Sequence, residues 1–346
     1  MDMIKNKPFL TDEKVDDFTA EDFVFVHRNE ELLDEAYTAT SYAKDVWMYF
    51  KKNKGAVLGA IIIIAIILLA IIGPMISGYK ADAINLDVQS LPPRIQGIYK
   101  LGIFSGYEKG IDQYAAHGVS QAFYWFGTDT NGRDLFTRVW EGTRVSLIIA
   151  LSAVVIDIVI GMSYGLISGY FGGKVDMVMQ RFMEILNGIP TLVVVTLLGL
   201  VLPPGITSIV FALMITGWIG MARISRAEVL KLKESEFILA SRTLGAKNFS
   251  IIFKEVMPNI FGQLIVMSMF SIPNAIFTEA FLSFVGLGIQ APDASLGSLI
   301  SDGYKSLTGH PHIIMSAIIV LALLMLSFNL FADGIRDAFD PNQKQR

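Results

Sequence analysis

The chain has 346 residues, of which 53% are hydrophobic and 17% are charged, and its formal net charge at pH 7 is −4. Its mean hydropathy of +0.51 is too high for an ordinary soluble domain, and the acidic balance provides no basic field for binding nucleic acid. The absence of cysteine excludes disulfide bonds and thiolate metal sites.

Residues 1–55 precede the first apolar block and predict a cytoplasmic tail that ends in a juxtamembrane segment. No secretory signal is expected, because the apolar block begins only after roughly fifty polar residues. Residues 42–52 combine aromatic residues and lysines, which suits an interfacial helix with Trp47 and Tyr49 at the level of the lipid headgroups. The favoured alternative is that this segment is simply the start of the first span.

Six apolar blocks reach or approach the length of about 20 residues that a membrane span requires. They are Ala56–Ile76, Val145–Ile167, Met177–Leu202, Ile206–Met221, Ile260–Leu287 and Ile313–Phe331. The fourth block is short and also fits a re-entrant segment. Counted as a span, it places the basic loop 223–254 on the same side as Lys51 and Lys52, which precede the first block. The positive-inside rule then puts both termini in the cytoplasm, and the sequence predicts an all-α integral membrane protein with six transmembrane helices.

Residues 79–141 fall outside the membrane in this topology and are too long for a plain connector. Asp129 and Asn131 near their end suggest a calcium loop. However, Arg133 occupies the fifth position of the EF-hand spacing and no glutamate occupies the twelfth. The neighbouring glycines favour an ordered turn with Asx caps instead, and no metal site is predicted.

Polar and small residues inside the apolar blocks form two further groups. Gly161, Gly165 and Gly169 share one helix face, so they let another helix approach closely, from this chain or from a second subunit. Asp157, Asn274 and Glu279 lie at membrane depth, where an acid costs about 2.5–3.5 kcal/mol on insertion scales. These three side chains are candidates for the lining of a translocation pathway, and a structural pairing across a helix interface is equally open.

A charged segment between the fourth and fifth blocks is the most informative part of the chain. It runs Glu236-Phe-Ile-Leu-Ala-Ser-Arg-Thr-Leu-Gly245-Ala and is followed by Val256-Met-Pro258-Asn259. Gly245 stands where a helix C′ position favours a left-handed residue, and Pro258 stands where a next helix would begin. The sequence therefore predicts a helix–glycine–helix knuckle on the cytoplasmic face, suited to push against a soluble partner.

From about Trp125 to Asn342 the chain resembles the C-type permease of oligopeptide/dipeptide ABC importers. The resemblance rests on the knuckle and on separate stretches in order: Phe126-Gly-Thr-Asp…Gly-Arg-Asp134 with Gly142-Thr-Arg-Val-Ser-Leu147, Ser168-Gly-Tyr-Phe-Gly-Gly-Lys-Val-Asp176, Glu279-Ala-Phe-Leu-Ser-Phe-Val-Gly-Leu-Gly288 and Phe328-Asn-Leu-Phe-Ala-Asp-Gly-Ile-Arg-Asp-Ala-Phe-Asp-Pro341. It implies the type I ABC importer permease fold. The implied parts are a first span at 56–78, a transmembrane domain at 142–333 with a coupling loop at 225–259, and a cytoplasmic tail at 334–346.

The resemblance also implies partners. A second homologous permease would complete the pore as a heterodimer, two ABC ATPases would bind ATP and Mg²⁺, and an extracytoplasmic binding protein would deliver peptides. The family's coupling loop docks into a cleft on the ATPase, which implies that role for Glu236, Ala240, Ser241, Arg242, Gly245, Ala246 and Pro258. The general importer motif would place Glu-Ala-Ala at 239–241, whereas here the acid is Glu236, as in the peptide subclass.

No ATPase site of its own is expected on this chain, and neither is a cofactor or an enzymatic activity. The sequence Gly173-Lys174 is followed by Val175, and Ser168 replaces the first glycine of a Walker A motif. Dipeptides, nickel chelates and other small solutes remain alternatives to oligopeptides as cargo. An ion-coupled secondary transporter is the alternative of another class, but it would leave the knuckle unexplained.

Overall fold

The computed structural model describes residues 42–203 and 205–339. The predicted acidic tail before residue 42 and the end of the predicted C-terminal tail lie outside these described residues. Within them the chain is mostly helical, with one short two-stranded hairpin. Five of the described helices are long and apolar enough to cross a membrane, or six if one bent helix pair counts as a span, so the prediction of an all-α membrane fold is confirmed.

Two helices, α1 (Tyr42–Lys52) and α2 (Lys54–Ile76), open the described part of the chain. Asn53 separates them, because its side-chain oxygen accepts a hydrogen bond of 3.1 Å from the backbone N–H of Ala56 and caps α2. Residues 42–52 are therefore a helix of their own rather than the first turns of the span, contrary to the favoured expectation.

The region after α2 is an ordered unit with its own small core. It contains strands β1 (Tyr107–Glu108) and β2 (Ile111–Asp112), which pair antiparallel, and the short helix α3 (Gln113–Ala116). The guanidinium of Arg94 lies over the rings of three aromatic residues at 4.8–5.5 Å, and the aliphatic and tyrosine core packs beside it. The rings are Tyr99, Tyr114 and Phe123, and the core residues are Val88, Leu91, Tyr114 and Tyr124.

The turn around Asp129 is the Asx-capped turn that the sequence predicts. Its Oδ1 accepts hydrogen bonds from the backbone N–H groups of Asn131 and Arg133, both at 2.9 Å. Its Oδ2 accepts one from Nε of Arg133 at 2.7 Å, so a guanidinium neutralises this carboxylate. Asp134 then caps the next helix, because its Oδ2 accepts from the backbone N–H of Thr137 at 2.9 Å.

One continuous helical span follows, from Leu135 to Phe171. It consists of α4 (Leu135–Ile156), a π-helical turn (Asp157–Met162) and α5 (Ser163–Phe171). The helix starts ten residues earlier than the apolar block Val145–Ile167 predicts. The outer region binds polar residues of the first turns, which explains the difference: Arg138, for example, donates from Nη1 to the carbonyl of Ala81 at 3.1 Å.

The next two predicted spans are broken. Helices α6 (Gly173–Asn187) and α7 (Thr191–Gly199) meet at 72°, at a break that contains Pro190, which lacks the N–H of a helical residue and restricts the residue before it. The block Met177–Leu202 is therefore a bent pair rather than a straight span. Helices α8 (Ile206–Thr216) and α9 (Ile219–Leu232) together form one 27-residue candidate span, so the fourth block is long enough to cross a membrane.

The remaining elements carry the knuckle and the last two spans. They are α10 (Glu236–Thr243), α11 (Asn248–Ile251), a π-helical turn (Ile252–Val256), α12 (Met257–Phe284), α13 (Leu296–Lys305) and α14 (His312–Phe339). The largest hydrophobic core lies where α2, α4, α12 and α14 meet. A second core joins α5 and α9 to α10 and to the start of α12, so the knuckle rests directly on the spans.

Candidate coupling site and membrane pathway

The end of α10 is a Schellman motif built on Gly245. This glycine has φ of +80°, and its N–H donates to the carbonyl of Arg242 at 3.0 Å, while the N–H of Ala246 donates to that of Ser241 at 3.0 Å. A Cβ at Gly245 would meet open space, so the backbone angle alone demands glycine here. The motif fixes the angle between α10 and α11.

One side of α10 is anchored in the membrane domain. The side chain of Ile238 is 0% exposed and packs in one cluster with residues of α5, α9, α11 and the π turn after it. Arg242 lies over the ring of Tyr170 at 4.8 Å, and the hydroxyl of Tyr170 donates to Oδ1 of Asn248 at 3.2 Å. Tyr170 of α5 therefore contacts both arms of the knuckle.

The opposite side of α10 is open. Leu244 is 87% exposed at the tip of the knuckle, and Phe237, Leu239 and Phe249 are also exposed. The residues predicted to couple are all exposed except Ser241, which is half-buried: Glu236, Ala240, Ser241, Arg242, Gly245, Ala246 and Pro258. An apolar crest ringed by charged residues has the composition of a protein docking surface.

The second arm of the knuckle differs from the expectation. Pro258 does not open a new helix, because α11, the π turn and α12 form one continuous helical span from Asn248 to Phe284. The π turn immediately before Pro258 widens the helix where the proline supplies no N–H. One turn of this segment also carries a side-chain hydrogen bond, because Asn259 donates from Nδ2 to the carbonyl of Glu255 at 2.7 Å. The knuckle therefore continues without a joint into the fifth predicted span.

An ion pair behind the knuckle was not singled out from the sequence. Arg226 of α9 donates from Nε and Nη2 to the two carboxylate oxygens of Asp176 of α6, at 2.6 and 2.5 Å. Ser168 of α5 donates to the same carboxylate at 2.5 Å, and Gln180 donates to Ser168 at 3.1 Å. We call Ser168, Asp176, Gln180 and Arg226 the clasp. Ser168 and Asp176 lie in one of the stretches that resemble the permease family, which is the signal that the sequence offered.

The three glycines of α5 and the preceding π turn face α9. A Cβ on Gly161 would lie 2.8 Å from the carbonyl oxygen of Trp218, and one on Gly169 would lie 3.0 Å from that of Arg226. A Cβ on Gly165 would overlap the carbonyl oxygen of Ala222. The close approach therefore occurs within this chain, and it brings α5 and α9 together next to the clasp.

Asp157 and Asn274 come together in a small cavity at membrane depth. Asp157 is 5% exposed, and Ser271 of α12 lines the same cavity. The two side chains line a cavity of about 50 Å³ together with Thr278 and Gly217. That volume is enough for a few water molecules, and the lining offers carboxylate, amide and hydroxyl groups to polar guests. Asn274 itself is exposed on the face of α12.

Glu279 lies elsewhere. It is 0% exposed, and its two carboxylate oxygens accept hydrogen bonds from Ser146 of α4 at 2.9 Å and from Ser283 of α12 at 2.8 Å. Ser283 is also 3.3 Å from the hydroxyl of Ser295, which caps α13. The structure therefore does not bring Glu279 to the cavity of Asp157, and it places this acid in a closed polar cluster that joins α4, α12 and α13.

Comparison with known protein families gives two matches along the chain. The family described as binding-protein-dependent transport system inner membrane component matches residues 161–345. The family described as N-terminal TM domain of oligopeptide transport permease C matches residues 41–93. The first match contains the knuckle, the clasp and α12.

Similar curated proteins match over most of their length. The chain is 41% identical to the dipeptide transport system permease protein DppC of Bacillus subtilis (strain 168), over 92% of this chain and 91% of that protein. It is 42% identical to the oligopeptide transport system permease protein OppC of the same strain, over 87% and 90%. It is 45% identical to DppC of Lactococcus lactis subsp. cremoris, over 90% and 93%. Among solved structures, the inward-facing MetNI methionine ABC transporter matches with a TM-score of 0.49 and 18% identity, over 59% of this chain and 97% of that chain.

Proposed function

Because this chain belongs to the family of binding-protein-dependent transport system inner membrane components, we propose that it is the pore-forming permease subunit of an ATP-driven importer that moves peptides across the cytoplasmic membrane. The cargo class rests on its relatives, which are named as dipeptide and oligopeptide permeases. The observation that carries the mechanism is the knuckle, whose exposed apolar crest is joined to the spans by a buried anchor and an unbroken helix.

The orientation that fits this function puts both termini and the knuckle in the cytoplasm. Lys51 and Lys52 before α2 and seven Lys/Arg in residues 223–254 favour it through the positive-inside rule. The ordered region between α2 and α4 then lies outside, where a peptide-binding protein would dock. A second homologous permease would complete the pore, and two ABC ATPases would bind ATP and Mg²⁺ and contact the crest.

In this proposal, coupling is the mechanical transmission of a displacement from the knuckle to the membrane spans. When the paired ATPases close on ATP, they displace the crest around Leu244. The Schellman turn at Gly245 and the anchor of Ile238 pass that displacement to α12 and to the contact between α5 and α9. Alternating access requires two arrangements of packed helices with different contacts, and the spans attached to the knuckle are the elements that would switch.

The pathway in this proposal runs along the face of α12 that carries Asn274. Asp157 and Asn274 line a polar cavity there, so we assign them to the pathway. Glu279 is assigned a structural role instead, because serine hydroxyls satisfy its carboxylate and none of its surface is exposed.

The Gly245→Val variant tests the coupling role. Valine is strained at φ of +80°, so the Schellman turn should open, and ATP hydrolysis by the purified complex should continue while peptide uptake falls by at least about tenfold. Gly286→Val is the matched control, since Gly286 has φ of +86°, equally open surroundings and the same pair of backbone hydrogen bonds but lies at the opposite end of α12 from the knuckle. Uptake by Gly245→Val equal to that of the control would refute the coupling role.

The cargo is tested by uptake of labelled di-, tri- and octapeptides in cells that lack this chain. Loss of the longer peptides, restored by the wild-type chain, is the expected result. If only dipeptide uptake is lost, the cargo would be dipeptides rather than oligopeptides. Unchanged uptake of every peptide would reject peptide cargo and leave nickel chelates or another small solute. Uptake that resists vanadate and responds to an ionophore would instead indicate an ion-coupled carrier.

A further inference from the structure

An arginine compensates for a proline inside the first span. Pro74 of α2 has no N–H, so the carbonyl oxygen of Ala70, four residues earlier, has no helical donor. Arg144 of α4 takes that place, because its Nε and Nη2 donate to this oxygen at 3.2 and 2.8 Å. The guanidinium therefore lies beside Ala70, about 9 Å along the helix axis from the end of α2 at Ile76.

No ion pair within the described residues neutralises this arginine, and the carboxyl group of Glu141, three residues earlier on α4, interacts with it only electrostatically. Its Nη1 has no acceptor among the described residues, and none of their carboxylates forms an ion pair with it. Its side chain is exposed, and it lies within the candidate membrane span Leu135–Phe171. A cation in such a position requires an anionic partner or a route to the headgroup layer.

A groove runs beside Arg144 on the surface of the spans. It has a volume of about 330 Å³ and is bounded by α2 and α4, with Ile272 and Phe328 among its lining residues. Arg144 is the only polar side chain among the described residues that line it. The exposed apolar side chains of Ile71 and Leu151 border the groove, so it is accessible from the surface of this chain.

From this arrangement we infer that the groove is a binding site for one phospholipid of the leaflet into which the C-terminal end of α2 projects. The acyl chain lies in the apolar groove, and the phosphate accepts hydrogen bonds from the free donors of Arg144. Charge complementarity selects this occupant: a phosphodiester joined to a hydrocarbon chain matches a guanidinium at the side of an aliphatic groove. A facing protein helix would have to bring a carboxylate of its own to the same depth.

The test counts the lipids that the purified importer complex retains. Delipidated complex is incubated with phosphatidylglycerol, and bound lipid is measured by native mass spectrometry for the wild type and for Arg144→Gln. We expect occupancy at this site to fall by at least about tenfold, because a charge-assisted hydrogen bond is lost. Arg181→Gln is the control, since Arg181 is an exposed arginine already paired with Glu184 at 2.6 Å, and it should retain the wild-type number.

Two further variants separate lipid binding from the role of Arg144 in capping the Ala70 carbonyl. Pro74→Ala restores the helical N–H, so Pro74→Ala combined with Arg144→Gln should be as stable as the wild type and still lose the lipid. Ile148→Trp should fill the groove and expel the lipid while Arg144 is intact.

Probes of different headgroup complete the experiment. Phosphatidylethanolamine should be retained by the wild type, since it carries the same phosphodiester, whereas diacylglycerol, which has no phosphate, should be retained at least about tenfold less. Equal lipid retention by the wild type and the double variant would overturn the inference, as would retention of diacylglycerol equal to that of phosphatidylglycerol.

Discussion

The contact between α5 and α9 and the surroundings of Asp157 lie on the same pair of spans but are built in opposite ways. In the first, glycines bring the backbones of α5 and α9 together, and the clasp joins α6 to α9 through a bidentate ion pair. In the second, polar side chains surround empty space beside an exposed face of α12. The comparison indicates that the end of the spans next to the knuckle moves as one body, whereas the middle has room to change shape.

Gly165→Leu should break the rigid region most strongly. The leucine side chain would overlap the carbonyl of Ala222, so α5 and α9 must separate, and we expect a loss of at least about 3 kcal/mol in the free energy of unfolding. Little folded protein should accumulate in the membrane, as measured by fluorescence size-exclusion chromatography. Gly220→Leu on α9 is the control, since a Cβ there meets open space, and equal losses from both variants would contradict the close contact.

Glu279→Ala should have the next largest effect. It removes a fully buried carboxylate and leaves the hydroxyls of Ser146 and Ser283 without their acceptor, which should lower the free energy of unfolding by about 2–3 kcal/mol. Thermal unfolding of the purified complex measures this loss. If the variant is as stable as the wild type but inactive in uptake, the result would contradict the structural role and support a role for Glu279 in the translocation pathway.

Asp176→Asn tests the clasp. The bidentate pair with Arg226 is partly buried, so we expect a loss of about 1–2 kcal/mol and weaker coupling between ATP hydrolysis and uptake. Glu184→Gln breaks the exposed pair with Arg181 and should change the free energy of unfolding by less than about 0.5 kcal/mol. If Asp176→Asn changes the free energy of unfolding and the coupling no more than Glu184→Gln does, the clasp does not hold these helices together.

Asp157→Asn should have the smallest effect on stability, within about 1 kcal/mol, because asparagine keeps the size of the side chain and a polar group in the cavity that Ser271 also lines. Its effect should appear in transport instead, as a change in the relative uptake of cationic and anionic peptides. Thr196→Val, which alters a hydroxyl bonded only within α7, serves as the control. Unchanged selectivity in Asp157→Asn would show that the cavity does not face the cargo.

What the sequence reveals depends on how far apart the interacting residues are. Gly245 and the turn at Asp129 are predictable because each is decided by neighbours within four residues. The clasp joins residues 50 positions apart, and Glu279 meets Ser146 across 133 positions, so single-sequence patterns do not pair them. Polarity alone put Glu279 and Asp157 in one class. Both are buried, and their surroundings separate them, because serine hydroxyls bind Glu279 whereas Asp157 lines a cavity.

Two prolines, Pro190 and Pro258, affect their helices differently for a physical reason. Pro190 lies where helices α6 and α7 part at 72°, so the chain bends there. Pro258 follows a π turn, so the helix continues through it. The sequence contains the same residue in both places, and only the local backbone decides whether a proline ends a helix or is absorbed by it.

The π turn at Asp157–Met162 has a consequence for comparing relatives by alignment. A π turn holds one residue more than the α-helical turn that would replace it, and one residue of an α-helix corresponds to about 100° of rotation and about 1.5 Å of rise. A relative that lacks one residue in this interval should therefore form an ordinary α-helix there and keep the glycines of α5 against α9. In an alignment, we expect such a relative to show a gap of one position between Asp157 and Met162. That gap would indicate that an α-helical turn replaces the π turn, without any displacement of the helix that follows.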